Sequence, residues 1–78
     1  MDDSTIGEIR RIAGQMLYAD GHGAFSTSER IAGAFVNDRG DWLPSRYPGI
    51  GEALVRLGPA WREAVAEVYE RNFNARWE

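Results

Sequence analysis

The chain has 78 residues and no cysteine, and twelve acidic against nine basic residues give it a net charge of −3. A domain of this length buries only about 60% of the surface of its unfolded chain. The lack of cysteine excludes disulfides and thiolate zinc sites, and the negative charge argues against binding to a phosphate backbone. No apolar run approaches the roughly 20 residues of a membrane span. The sequence therefore predicts one small domain, 1–78, with neither a membrane nor a direct nucleic-acid partner.

The basic residues are all Arg, and the amino terminus, Met1-Asp2-Asp3-Ser4, is acidic. A secretory signal would instead begin with basic residues followed by a continuous apolar run. A small chain without disulfides fits a reducing compartment. The complete absence of lysine is typical of a GC-rich bacterial or phage genome. We therefore predict a small acidic cytoplasmic protein of bacterial or phage origin.

The first helix is predicted from Thr5 to Ala19. Thr5 and Glu8 have the spacing of a capping box, and apolar residues recur along one side of the helix. Tyr18 falls opposite this stripe, so its side chain is expected in solvent. The predicted core stripe consists of Ile6, Ile9, Ala13, Met16 and Leu17, with Ile12 at its edge.

A second capping box, formed by Ser26 and Glu29, predicts a helix from Thr27 to Asn37. This helix stops in the run Asn37-Asp38-Arg39-Gly40, because Asn and Gly tolerate the left-handed conformation that ends a helix. Its apolar side is expected to comprise Ile31, Ala32 and Phe35.

The rest of the chain predicts an aromatic loop over 41–47 and two further helices. Helix three is short, from Pro48 or Gly49 to Leu57, and Gly58-Pro59 ends it and begins helix four, which runs to about Asn74. The predicted fold is a compact all-α four-helix domain with a short third helix and an ordered aromatic loop between helices two and three. The expected core positions are Ile50, Ala53, Leu54 and Leu57 in helix three and Trp61, Ala64, Val65, Val68 and Asn72 in helix four.

A twelve-residue segment between the first two helices carries oxygen-bearing side chains at alternate positions, with glycine sixth and glutamate twelfth. This pattern resembles the EF-hand calcium loop. The resemblance implies Asp20, Ser26 and Glu29 as calcium ligands, while the first and fifth positions hold Tyr18 and His22 instead of acids. The alternative interpretation is structural: the glycines turn the chain, and Ser26 with Glu29 caps the next helix.

Catalytic signatures are lacking. His22 is the single histidine, and without cysteine it cannot assemble the nitrogen and sulfur ligands of a zinc site. Ser26 and Ser28 lie near it in sequence, but neither stands in a nucleophile elbow. The sequence predicts a protein that is not an enzyme and needs no cofactor.

Helix four carries the pattern that points to a function. At 100° per residue it has an acidic ridge beside an aromatic stripe that is displaced from the core positions. Such a stripe either completes the core of a small domain or binds a partner. The acidic ridge suits a protein partner with a basic surface. The ridge consists of Glu63, Glu67 and Glu70, and the stripe of Tyr69, Phe73 and Trp77.

The sequence thus predicts a protein-interaction module that docks on a protein or nucleoprotein partner through helix four. Its size and charge are compatible with a small inhibitor or accessory protein of a phage or mobile element. Two alternatives stay open: a degenerate EF-hand-like calcium-binding module, and a structural subunit whose aromatic stripe builds a homodimer.

Overall fold

The computed structural model describes residues 3–47 and 49–77, with side chains described for residues 4–47 and 49–72. Within these ranges the chain forms four α-helices and one short 3₁₀ helix. The predicted all-α four-helix domain with a short third helix is confirmed. The helices are α1 Asp3–Tyr18, α2 Thr27–Val36, α3 Ile50–Leu57 and α4 Pro59–Trp77, and the 3₁₀ helix is Gly40–Trp42.

The start of α2 is fixed by the predicted capping box. The hydroxyl of Ser26 accepts a hydrogen bond from the backbone N–H of Glu29 at 3.2 Å. The carboxylate of Glu29 in turn accepts one from the N–H of Ser26 at 2.8 Å. Two backbone donors at the helix start are thereby satisfied. The α3–α4 junction also matches its prediction, because Gly58 has a positive φ of 88° and Pro59 is the first residue of α4.

Helices α1 and α2 end in the same way. In each case an aspartate takes the left-handed conformation after the last turn, Asp20 with φ 54° and Asp38 with φ 57°. The N–H of that aspartate and the N–H of the next residue donate to carbonyls of the last turn at 2.8–3.2 Å, which is the Schellman arrangement. The predicted stop after α2 is confirmed, but the left-handed residue is Asp38 and not Asn or Gly. Asn37 instead keeps a right-handed backbone, and its side-chain amide donates to the carbonyl of Ala13 in α1 at 3.0 Å.

The core lies where α1, α2 and α4 meet. Its main cluster draws apolar side chains from all four α-helices, and a smaller cluster joins α1 and α2 to the 3₁₀ helix. The main cluster contains Ile6, Ile9, Ala13, Ile31, Ala32, Val36, Ala53, Leu57, Ala64, Val65 and Val68. The smaller one contains Ile12, Met16, Ala34 and Trp42.

The buried face of α1 is rotated from the predicted stripe. Leu17, predicted in the core, is 61% exposed, whereas Ile12, predicted at the edge, is fully buried. Ile12 packs in the cluster with Trp42, so the 3₁₀ helix covers the side of α1 that carries Ile12. The side that carries Leu17 is left in solvent. The predicted exposure of Tyr18 is confirmed at 95%.

Two further core predictions were wrong. Ile50 is 62% exposed, because it is the first residue of α3 and the buried positions of that helix are Ala53 and Leu57. Asn72 is exposed, since the described core contacts of α4 end at Val68.

Helices α1 and α2 approach closely at Gly33. A Cβ atom added there would overlap the sulfur of Met16 and would lie 3.2 Å from its Cγ. Both residues are buried, so the glycine acts as a notch that receives the methionine side chain. By contrast, a Cβ atom added at Gly14 on α1 would meet no atom within 4 Å.

Candidate functional site

A surface groove lies between the end of α2, the middle of α3 and the outer side of α4. Its volume is about 320 Å³. The walls are mainly apolar, and the charged groups on them are Asp38 and Arg62. Neither of these side chains forms an ion pair with another residue in the described part of the chain. The lining residues are Phe35, Asp38, Leu54, Arg62, Val65, Ala66 and Tyr69.

The predicted acidic ridge borders this groove. Ala66, which is exposed and lines the groove, stands three residues after Glu63 and four residues before Glu70. Side chains at these spacings are neighbours on a helix surface. Glu63 and Glu70 are both exposed and form no ion pair with any described residue. Two carboxylates therefore stand in solvent along one edge of an apolar groove.

The third member of the ridge is already engaged. An oxygen of Glu67 accepts a hydrogen bond from Nε of Arg71 at 2.9 Å and lies 2.9 Å from its Nη2, one helical turn along α4. An exposed pair of this kind contributes only about 0.3–0.5 kcal/mol. The negative charge of Glu67 is thus partly compensated, and the uncompensated charge of the ridge lies at its two ends.

Of the predicted aromatic stripe, the structure describes one side chain. Tyr69 is half-buried and lines the groove. The backbone of α4 runs through Phe73 and ends at Trp77, but both of these side chains lie outside the described residues. The structure therefore brings Tyr69, Glu63 and Glu70 together around the groove.

A second, polar cleft lies where the loop after α1 meets the 3₁₀ segment. Gly21 packs directly on the indole of Trp42, and a Cβ atom at Gly21 would come within 2.5 Å of the indole nitrogen. Arg30 of α2 holds the loop from the other side. Its guanidinium donates to the carbonyls of Gly21 at 2.8 Å and Gly23 at 3.0 Å. Arg30 thus holds the predicted turn at Gly21 and Gly23 in place, a role that the sequence did not indicate.

Arg39 closes the same cleft. Its guanidinium lies 4.5 Å from the centre of the Trp42 ring and donates two hydrogen bonds to Asp41, at 3.0 and 2.9 Å. These hydrogen bonds lower the pKa of the Asp41 carboxyl and raise the pKa of Arg39. Arg30 and Arg39 thus each donate two hydrogen bonds to groups within these loops.

The geometry of the predicted calcium ligands favours the structural interpretation of that segment. Glu29 and Ser26 bond each other's backbone in the capping box. Asp20 is the left-handed residue that ends α1. Among the described residues, no group of three or more His, Asp or Glu side chains is arranged to hold a metal ion. Calcium binding stays a prediction from the sequence pattern.

The groove contains residues that sequence reasoning assigned only to the core or to a turn. Phe35 and Leu54 were expected to be core residues, but each is half-buried and shows one side to the groove. Asp38 was noted only as part of a helix stop. An aspartate at the end of a helix is common and does not by itself indicate a binding site. Its position beside apolar side chains is visible only once the three helices are assembled.

Comparisons with known proteins add no relative. No known protein family, no curated protein and no solved structure gives a significant match to this chain. None of the helices in the described ranges combines the length and the apolar character needed to cross a membrane. The function must therefore be argued from the groove and its charges.

Proposed function

We propose that this chain is a protein-interaction module that docks on a partner through the outer surface of α4. The observation that supports the proposal is the groove itself, an apolar concavity that opens beside two solvent-exposed carboxylates. Docking surfaces of proteins commonly combine an apolar centre with a polar or charged rim. The face formed by Tyr69, Ala66, Glu63 and Glu70 has this composition.

The two parts of the surface contribute differently to binding. Burial of the apolar walls supplies affinity, at roughly 25 cal/mol for each Å² removed from water. Exposed carboxylates add little affinity of their own, but they raise the rate of encounter with a basic surface and disfavour acidic partners. The proposed partner is accordingly a protein with a basic contact surface.

Charge reversal on the ridge tests the proposal. In the triple variant Glu63→Arg, Glu67→Arg and Glu70→Arg, we expect complex formation to fall at least about tenfold, because a basic partner would meet like charge. The complex is captured from a lysate of the native host with the immobilised chain and is quantified by mass spectrometry.

The control reverses charges away from the groove. Glu8 on α1 and Glu52 on α3 are both exposed, so the variant Glu8→Arg, Glu52→Arg changes net charge without changing the ridge. Circular dichroism checks that both variants are folded. Equal capture of the same partner by the triple variant, the control and the unchanged chain would contradict docking through α4.

The finer parts of the sequence interpretation stay predictions. These are the cytoplasmic location, the phage or mobile-element origin, the inhibitor role and the lack of enzymatic activity. The homodimer alternative is tested by sedimentation at several concentrations, since a strictly monomeric chain excludes it.

A further inference from the structure

Asp38 indicates which kind of side chain a docking partner presents to the groove. This inference rests on the proposed docking function. Asp38 holds a left-handed backbone at the end of α2, a conformation that glycine adopts without steric cost. Asp38 lines the groove and is exposed, and its carboxylate forms no ion pair with another described residue. The carboxylate is therefore available to an incoming group.

The charges around the groove are unequal. Asp38 on its wall and Glu63 and Glu70 along its edge are carboxylates without ion-pair partners in the described ranges, against one guanidinium, that of Arg62. These four side chains together carry a net negative charge. A partner that presents a lysine or arginine next to an apolar side chain would complement this acidic and apolar surface.

The length of one groove wall matches two side chains on a helix. From Arg62 to Tyr69, α4 makes two turns, so one wall is about 10 Å long. That length accommodates two side chains one turn apart on a docking helix, as in other helix-in-groove complexes. Strand addition by an extended segment would need a sheet edge, and the described ranges contain no strand.

A second copy of this chain fits the groove less well. In a twofold dimer the same patch is used by both subunits. Contact through this surface would bring Glu63 and Glu70 of one copy against the same acidic surface of the other. Like charges brought together in this way oppose association.

We propose that the groove binds an amphipathic helix of another protein, which inserts two apolar side chains one turn apart and places a Lys or Arg against Asp38. The test begins with selection on the immobilised full chain from displayed helical peptides of about 16 residues. Two positions one turn apart vary among apolar and small polar residues, and the flanking positions vary among Lys, Glu and Ser. The selected peptides are expected to carry apolar residues at the two positions one turn apart and to be rich in Lys at the flanking positions.

Substitutions at Asp38 give the decisive readout with the selected peptide. Asp38→Asn keeps the shape and removes the charge, and it should weaken binding about two- to fivefold, with the difference fading at about 0.5 M salt. Asp38→Gly should weaken binding equally while raising Tm by about 2–5 °C, because the steric cost of the left-handed residue is removed. The matched control is Asp20→Gly in the corresponding position after α1, which should raise Tm and leave binding unchanged.

The outcomes separate this inference from the proposed function. Selection of acidic or neutral peptides, failure to select any binder, or unchanged binding by Asp38→Asn would each overturn the basic-helix proposal. Docking through α4 would still stand if the triple ridge variant lost its captured partner. Docking through α4 would be contradicted independently if the triple ridge variant captured the partner as well as the unchanged chain does.

Discussion

At Gly33, where α1 and α2 are in contact, we predict that replacement of glycine by alanine lowers the stability of the protein. The same substitution inside a helix usually raises it. Replacing glycine by alanine inside a helix ordinarily stabilises a protein by about 0.5–1 kcal/mol, because glycine loses more backbone entropy on folding. At Gly33 the added methyl group would overlap the sulfur of Met16, which is buried and has no solvent to move into. Overpacking of this kind costs about 1–3 kcal/mol. The two effects together predict that Gly33→Ala destabilises the protein, by up to about 2.5 kcal/mol.

Urea unfolding followed by far-UV circular dichroism measures this difference, with Gly14→Ala as the matched control. Gly14 is an exposed position inside α1 with open space around it, so the same substitution should stabilise the protein there by about 0.5–1 kcal/mol. In Tm, each kcal/mol corresponds to about 4–8 °C for a domain of this size. If Gly33→Ala were as stabilising as Gly14→Ala, the close packing of α2 against Met16 would be refuted.

Two further predictions concern the loops. Arg30→Lys should lower the free energy of unfolding by about 1–2 kcal/mol, because one ammonium cannot reproduce the two-carbonyl contact of the guanidinium, and amide exchange in 20–25 should quicken. The pKa of Asp41 is lower in the folded chain than in the unfolded one, so its pair with Arg39 stabilises the fold above about pH 4 and loses that effect as the pH falls. The Tm difference between the unchanged chain and Asp41→Asn should therefore shrink as the pH is lowered from about 6 to 2, and a constant difference would contradict the assignment.

Several features set by neighbours in the sequence were predictable, although the Thr5–Glu8 spacing did not mark the start of α1, which begins at Asp3. The capping box of Ser26 and Glu29 needs residues three apart, and the Gly58-Pro59 junction needs two adjacent ones. The Glu67–Arg71 pair needs only one helical turn. Each of these is decided within a few residues, so its pattern in the sequence carries nearly all the information.

Features set by contacts between distant segments were not predictable in the same way. The choice between Ile12 and Leu17 as the buried side of α1 depends on where Trp42 packs, and a helical wheel contains no such information. The groove depends on three helices meeting, so its lining residues are separated by long stretches of chain. The acidic ridge itself was visible in the sequence because it belongs to one helix.

The packing of Trp42 makes this residue a reporter of the state of both loops. Its indole is covered by the backbone of Gly21 on one side and contacts the guanidinium of Arg39, and only 7% of the residue is exposed. Separation of the two loops would admit water to the ring and shift its emission to longer wavelength. Because Arg39 follows directly on Asp38, fluorescence of Trp42 in a variant whose Trp61 and Trp77 are replaced by Phe can reveal whether occupation of the groove changes the environment at the end of α2.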